Sequence, residues 1–149
     1  MSTRPRPANR DAFPLFRSLQ TRWMDNDSYG HLNNVVHYSL FDTAINGWLI
    51  EQGVLDTCQS EGICLVVETG CNYFAELRFP DVIDAGIRVK AIGRSSIRYE
   101  VALFRNSEFT ASAQGKFVHV HVDPVTHRPT EIPQKMRAAL SQLHARSEG

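Results

Sequence analysis

Two adjoining segments decide the fold: Met24-Asp-Asn-Asp-Ser-Tyr-Gly-His-Leu-Asn-Asn34, and the apolar run from Val35 to Leu49 that follows it. The first segment is polar and contains a glycine, which predicts an exposed turn between two secondary-structure elements. In the second, apolar residues recur mostly every third or fourth position, which predicts a long helix. Asn33 or Asn34 can cap its start, and Gly53 stands just past its end, where a left-handed residue is often needed. The wide apolar stripe indicates a helix that other elements largely enclose.

Strand patterns lie on both sides of this helix. Before it, the segment from Phe13 to Trp23 predicts a first strand, and after it turn residues and period-two alternation predict four or so consecutive antiparallel strands. Their ranges are Ile63 to Val67, with Tyr73 to Phe79 continuing or following it, Ile87 to Ala91, Ile97 to Leu103, and Thr110 to Val122, whose alternation shifts near Gly115 and predicts a bulge. A final amphipathic helix is predicted from Pro133 to about Leu143. The order indicates an α+β fold with one long helix against an antiparallel sheet, and the edges of so small a sheet favour an oligomer.

The composition is typical of one soluble domain. The chain has 149 residues, of which 42% are hydrophobic and 21% are charged, so it can bury a core without metals or disulfides. Basic and acidic side chains number 16 each, and no global basic field would attract nucleic acid or an anionic membrane. No apolar stretch approaches the ~20 residues that span a bilayer. We expect residues 1–12 to form a flexible N-terminal tail and residues 13–145 a single domain.

The cysteines and histidines give little sign of a metal site. The chain has three cysteines, Cys58, Cys64 and Cys71. The number is odd and no pair has C-x-x-C spacing, which argues against a disulfide framework or a zinc knuckle. A reducing cytoplasm is therefore the expected compartment. His119 and His121 share one strand face and could bind zinc, but the sequence nearby offers no third ligand, so we expect no metal.

The polar segment before the long helix also carries the chemistry. Its pattern is Asp25-x-Asp27-x-x-Gly30-His31-x-Asn33-Asn34-x-x-x-Tyr38. Backbone N–H groups at a helix start are unsatisfied donors with a positive partial charge, and they suit a developing oxyanion. A nearby carboxylate can attack a carbonyl or activate water. The groups needed for acyl transfer or hydrolysis therefore lie within a dozen residues.

This pattern and the order of elements resemble the hotdog-fold acyl-CoA thioesterases, in particular the 4-hydroxybenzoyl-CoA thioesterase-like family. Weaker matches follow in the same order along residues 13–143: Arg78-Phe-Pro80, Gly93-Arg-Ser-Ser-Ile97, Gly115-Lys-Phe-Val118 and Arg128-Pro-x-x-Ile-Pro133. The resemblance implies a five-stranded antiparallel sheet wrapped around a long central helix, with a short C-terminal helix. It also implies hydrolysis of an acyl-CoA to free acid and CoA.

The resemblance assigns catalytic roles to five residues of the polar segment. Asp27 is the implied catalytic carboxylate, acting as nucleophile or as base for water, and the backbone N–H of Asn34 is implied to polarise the thioester carbonyl. Gly30 lets backbone and substrate approach closely. His31 and Asn33 are implied to orient the carboxylate or the substrate.

The same resemblance implies partners. The family usually binds CoA at a subunit interface, so we expect a homodimer or a homotetramer. Arg94, Lys116 and Arg128 are candidates for the CoA phosphates, and Tyr38 is a further substrate-binding candidate. The substrate is acyl-CoA or an acyl carrier protein thioester. No cofactor is expected, because CoA is part of the substrate.

Several alternatives remain open from the sequence. Asp25 could be a turn-former that hydrogen-bonds its own backbone, and His37 is more often a residue of the helix face than a catalyst. A related thioesterase branch takes its carboxylate from the central helix, which makes Asp42 and Glu51 alternative candidates. The fold is also used by hydratases and dehydratases and by non-catalytic acyl-thioester binding proteins. Asp27 argues against the non-catalytic reading, because a binding protein would not need to keep the carboxylate.

Overall fold

The computed structural model describes residues 5–55 and 62–144. One long helix, α1 (Asn34–Glu51), lies against a sheet of five antiparallel strands in the order β1-β3-β4-β5-β2. The strands are β1 (Leu15–Gln20), β2 (Ile63–Tyr73), β3 (Val82–Ile92), β4 (Ser96–Arg105) and β5 (Ala113–Val122), and a short helix α2 (Gln134–Ser141) follows. This arrangement confirms the predicted α+β architecture. Cys58 lies outside the described residues.

Both predicted ends of α1 are confirmed. The side-chain oxygen of Asn33 accepts a hydrogen bond from the N–H of Val35 at 3.1 Å, which caps the start of the helix. Gly53 has a φ of +69° and donates its N–H to the carbonyl of Ile50. The sheet covers one side of the helix, where Phe41, Ala44, Ile45, Trp48 and Leu49 are buried. The helix is less enclosed than its wide apolar stripe predicts, because Val35 and Ile50 are exposed in this chain.

A close contact between α1 and the sheet occurs at Gly115 in β5. A Cβ atom at this position would lie 2.3 Å from the carbonyl oxygen of Gly70 and 2.5 Å from Cε2 of Phe41. The predicted bulge near Gly115 is wrong, because β5 pairs without a register shift with β4, and its shift against β2 lies between Val66 and Glu68. The glycine is present because the ring of Phe41 rests on the strand backbone.

Three of the predicted strands are shorter than their patterns indicate, and the last of them, β5, begins at Ala113 rather than at Thr110. β1 ends at Gln20, and Trp23 lies in a 3-10 turn with 76% of its surface exposed. β2 ends at Tyr73, and the chain then leaves the sheet. The backbone N–H groups of Phe74 and Ala75 both donate to the carbonyl of Ser112, at 2.8 and 3.0 Å, instead of continuing a strand.

Part of the predicted tail lies on the outer face of the sheet. The N–H of Ala8 donates to the side chain of Gln114 at 2.9 Å, and the guanidinium of Arg10 pairs with Asp84 at 2.7 Å. The same guanidinium lies 5.0 Å from the ring centroid of Phe104, in a small second core. The part of the chain that packs on the sheet therefore includes Ala8 and Arg10, before residue 13, and it buries apolar surface on this face of the sheet.

The sheet buries a titratable group that the packing leaves neutral. His119 on β5 is 1% exposed, and its Nδ1 has no hydrogen-bond partner among the described residues. Burial lowers the pKa of His119 to about 4, because the charged ring would lose its hydration. Edge-on contacts with Tyr99 and Phe117 surround the ring instead. Burial also raises the pKa of the Cys64 thiol to about 11, so this thiol stays protonated.

We expect Gly115→Ala to lower the melting temperature, because its methyl group would overlap a backbone carbonyl and a buried ring. Overpacking of this kind costs about 1–3 kcal/mol, or several degrees in a domain of this size. Gly70→Ala is the matched control, because a Cβ there would meet only the flexible side chain of Lys116 at 3.3 Å. Thermal melts followed by circular dichroism compare the two. Equal melting temperatures would contradict the close contact at Gly115.

The buried His119 predicts a loss of stability in acid. Its folded-state pKa of about 4 lies below the unfolded value, so the unfolded state binds the proton more tightly. The contribution of His119 to stability is complete above the unfolded pKa near 6.5 and is lost as the pH falls toward 4. The loss in the free energy of unfolding reaches about 2 kcal/mol at pH 5. We expect His119→Phe to remove that part of the pH dependence. Urea unfolding at pH 7.5 and pH 5 measures it, and an unchanged difference in the variant would overturn the assignment.

Candidate active site

A cavity of about 310 Å³ opens at the N-terminal end of α1, beside the end of β2. We call it the α1 cavity. Its walls come from the turn before α1, from the first turn of the helix and from the segment that follows β2. The lining residues are Asp27, His31, Leu32, Asn34, His37, Tyr73, Phe74, Ala75, Glu76 and Leu77. The structure therefore brings together Asp27, His31 and Asn34, three of the predicted site residues.

The carboxylate of Asp27 is held by its own turn. Its Oδ1 accepts hydrogen bonds from the N–H of Tyr29 at 2.8 Å and from the N–H of His31 at 3.4 Å. The N–H of Asp27 donates to the carbonyl of His31 at 2.7 Å, which closes the turn. Gly30 provides the left-handed backbone that this turn requires, with a φ of +85°. Of the described residues none donates to Oδ2, so this oxygen is available to a ligand in the cavity.

The first turn of α1 leaves one backbone donor free. The N–H of Asn33 donates to the carbonyl of Asp25 at 2.9 Å, and the N–H groups of Val35 and Val36 donate to the side-chain and backbone oxygens of Asn33. Within the described chain, the N–H of Asn34 has no acceptor. It lies at the positive end of the helix dipole and belongs to a residue that lines the α1 cavity. Asn33 therefore acts as the helix cap, while the N–H of Asn34 stays unused by the described residues.

Two aromatic side chains form the wall beside this donor. The hydroxyl of Tyr73 donates to the carbonyl of Asn34 at 2.9 Å, and its ring lies edge-on to His37 with centroids 4.7 Å apart. His37 is 3% exposed, and burial lowers its pKa, so the ring is neutral at pH 7. The sequence interpretation of His37 as a helix-face residue missed its place in the cavity. Its spacing of three residues from Asn34, which puts both on one helix face, was the available signal.

The segment that follows β2 contacts the turn before α1. Nε2 of His31 lies 3.1 Å from a carboxylate oxygen of Glu76, and the N–H of Leu32 donates to the carbonyl of Leu77 at 2.7 Å. His31, which was predicted to orient the carboxylate or the substrate, thus contacts Glu76, a residue that the sequence analysis did not identify. No local pattern could have found it, because the two residues are far apart in the chain.

The alternative carboxylates have other contacts. The buried carboxylate of Asp25 accepts hydrogen bonds from the N–H of Arg22 at 2.8 Å and from its guanidinium, which fits a turn-former. Asp42 binds the side chain of Asn46 at 2.9 Å, and Glu51 pairs with the guanidinium of Arg17. None of the three carboxylates lines the α1 cavity.

Four predicted substrate-binding residues also lie outside the α1 cavity of this chain. Tyr38 is absent from the lining and packs edge-on against Phe41 at the margin of the core, although its hydroxyl lies near that of Tyr73 in the cavity wall. Lys116 pairs with Glu68 at 3.5 Å. The carbonyl of Arg94 accepts from Ile132, and Arg128 lies in the loop after β5. Both arginines are beyond the Val122 end of β5, whereas the cavity lies beside its Ala113 end.

The described residues hold no metal cluster. In the ranges 5–55 and 62–144 no three His, Cys, Asp or Glu side chains are close enough to hold an ion. His121 instead shares a 2.9 Å hydrogen bond between its Nδ1 and the hydroxyl of Thr130. No helix in this part of the chain is long and apolar enough to cross a membrane.

Comparison with known proteins gives a family match and several similar structures. The family model described as the thioesterase-like superfamily matches residues 21–140. No curated protein sequence matched the chain. The PA5185 protein from Pseudomonas aeruginosa is 48% identical, with a TM-score of 0.92, and the match covers 97% of this chain and 100% of that one.

Two further solved structures carry functional names. A thioesterase from Thermus thermophilus, complexed with coenzyme A and Zn, is 29% identical with a TM-score of 0.72, and the match covers 86% of this chain and 98% of that one. Slr0204 from Synechocystis, a 1,4-dihydroxy-2-naphthoyl-CoA thioesterase, is 16% identical with a TM-score of 0.77, covering 86% and 96% of the two chains. At 16% identity, the similarity to Slr0204 supports only the fold.

Proposed function

The chain belongs to the thioesterase-like superfamily, and from that premise we propose that it is an acyl-CoA thioesterase that uses Asp27 and the N–H of Asn34. The reaction splits an acyl-CoA with water into a free acid and the CoA thiol. One observation supports the assignment of residues: a helix N-terminal donor that has no partner among the described residues and a fixed carboxylate belong to residues that line the same cavity.

The N–H of Asn34 is the proposed partner of the thioester carbonyl oxygen. A hydrogen bond there draws electron density from the carbonyl carbon and stabilises the negative charge that develops on oxygen during attack. The donor costs no reorganisation, because the capped first turn already holds it in place. Tyr73 supports the same residue by donating to the carbonyl of Asn34.

Asp27 is the proposed acid–base or nucleophilic group. As a base, its Oδ2 takes a proton from water while the water oxygen bonds to the carbonyl carbon, the C–S bond then breaks, and the proton passes to the departing thiolate. As a nucleophile, Oδ2 itself bonds to the carbonyl carbon, the thiolate leaves, and water hydrolyses the resulting anhydride. The N–H groups of Tyr29 and His31 fix the other oxygen in both routes.

CoA is the proposed carrier of the acyl group, a proposal supported by the coenzyme A in the similar Thermus thermophilus thioesterase. An acyl carrier protein remains the alternative carrier. The free thiols of Cys64 and Cys71 fit the reducing cytoplasm as the place of the reaction.

A homodimer through the free edge of β2 is the proposed assembly. This strand is an edge of the sheet and exposes Leu65, Val66 and Val67. Antiparallel pairing of two β2 edges would place the Ile63 end of one strand beside the Tyr73 end of the other. Such pairing would bring Arg94 and Arg128 of one subunit toward the α1 cavity of the other, which would account for their predicted contact with CoA phosphates.

We expect Asp27→Asn to lower kcat by about 10²-fold or more while the fold stays intact, because the transition state loses its carboxylate. Thiol release from acyl-CoAs with aliphatic and aromatic acyl groups measures the loss. Asp42→Asn is the matched comparison, since Asp42 is an exposed carboxylate of α1 outside the cavity. Near-wild-type kcat in Asp27→Asn, with loss in Asp42→Asn, would move the catalytic role to the helix carboxylate.

The pair Asn34→Pro and Asn34→Ala tests the backbone donor. Proline removes the N–H but suits the first position of a helix, and Asn33 already has the extended backbone that precedes a proline, with φ −59° and ψ 138°. Alanine keeps the N–H. We expect proline to lower kcat by about 10²- to 10³-fold and alanine to have a much smaller effect. Circular dichroism checks that both variants fold, and equal kcat values would remove this donor from the mechanism.

A further inference from the structure

A second cavity of about 430 Å³ adjoins the α1 cavity. It is lined by Pro7, Phe74, Ala75 and the segment 108–112, and we call it the Phe109 cavity. Phe74 and Ala75 line both cavities, so one short stretch of chain separates them. Its volume is within the range of about 300–1,000 Å³ that is usual for small-molecule sites.

Backbone hydrogen bonds hold the walls of the Phe109 cavity. The wall that it shares with the α1 cavity is tied to Ser112, whose carbonyl accepts from both Phe74 and Ala75. On the other side the N-terminal segment pairs with residues 109–111, with Arg10 donating to the carbonyl of Phe109 at 2.9 Å and Ala111 donating to that of Ala8 at 3.0 Å. The cavity is therefore present before any ligand arrives.

The lining is suited to an uncharged, apolar group. Phe109 is 54% exposed, although it is a large hydrophobic residue, and Phe74, Ala75 and Ala111 add apolar surface. Among the described lining residues Glu108 alone is charged, and it is negative. A phosphate group would meet the like charge of Glu108, and the nearby guanidinium of Arg10 is already bonded to the carbonyl of Glu108 and paired with Asp84. A hydrocarbon chain would instead cover exposed apolar surface.

We propose that the Phe109 cavity binds the distal part of the acyl group of the substrate. The inference rests on the proposed thioesterase function and names the class of acyl group. The carbonyl lies at Asp27 and Asn34 in the α1 cavity, and the acyl group extends past Phe74 and Ala75 into the second cavity. The enzyme therefore prefers acyl groups long enough to pass this wall over short ones.

The test fills the Phe109 cavity without changing the α1 cavity. Thr110 lines only the Phe109 cavity and is exposed, so Thr110→Trp puts a large side chain there. Thiol release is measured from butanoyl and dodecanoyl thioesters, each made both with CoA and with N-acetylcysteamine, which lacks the nucleotide. The quantity compared is the ratio of kcat/KM for dodecanoyl to that for butanoyl thioesters.

We expect wild type to favour the dodecanoyl group and Thr110→Trp to lower the ratio at least about tenfold, the effect of a few methylene groups left in water. The fall should be equal for both carriers, because the acyl group is the same. Val125→Trp is the control, since Val125 is exposed in the loop after β5, and its ratio should match wild type.

Several outcomes would overturn the inference. Wild type could favour butanoyl thioesters, or the ratio could be unchanged in a folded Thr110→Trp, and either result would contradict the proposal. A fall in the ratio for CoA thioesters alone would also contradict it, because it would indicate that the cavity binds part of CoA instead. If Thr110→Trp does not fold, Phe109→Asp replaces it, because a carboxylate at this exposed position should lower the same ratio. If wild type hydrolyses neither these four thioesters nor benzoyl-CoA, the proposed function itself fails, whereas hydrolysis of benzoyl-CoA alone would overturn only the inference.

Discussion

The contact between Phe41 of α1 and the backbone of β5 at Gly115 governs the position of the helix. A Cβ atom at Gly115 would overlap the ring, so any larger residue there would move the helix away from the sheet. Because the helix is rigid, a contact near its middle also determines where its first turn lies. That turn meets the end of β2, where the Tyr73 hydroxyl reaches the carbonyl of Asn34. The α1 cavity is the space that remains between these elements.

The start of a helix always leaves backbone donors without partners inside the helix, and the protein pairs them selectively. The carbonyl of Asp25 and the two oxygens of Asn33 take the neighbouring donors, and Asn34 keeps its own. The same turn uses the donors of Tyr29 and His31 to fix one oxygen of Asp27. A backbone donor without a partner among the described residues and an oriented carboxylate therefore arise from one short loop, whose conformation depends on Gly30 and on buried Asp25.

The sequence resemblance and the comparisons agree on the family, on the hotdog fold and on thioester hydrolysis as the reaction class. The predicted long helix, its cap, its terminating glycine and the antiparallel sheet are confirmed. The predicted bulge at Gly115 is wrong, because a glycine in a strand can serve a close contact as well as a bulge. The prediction that the first strand extends to Trp23 is also wrong, because an apolar residue need not be buried. Its side chain is exposed next to the turn.

The sequence alone determined the parts of the site that are local. Asp27, Gly30, Asn33 and Asn34 lie within one loop and one helix cap, where hydrogen bonds join near neighbours and residue type decides the conformation. Tertiary structure decided the walls. Tyr73, Phe74 and Glu76 reach the α1 cavity only because β2 ends where α1 begins, and no short-range pattern encodes that meeting. The Phe109 cavity likewise joins the N-terminal segment, the chain after β2 and the β4–β5 connection, because pairing across the sheet brings distant residues together.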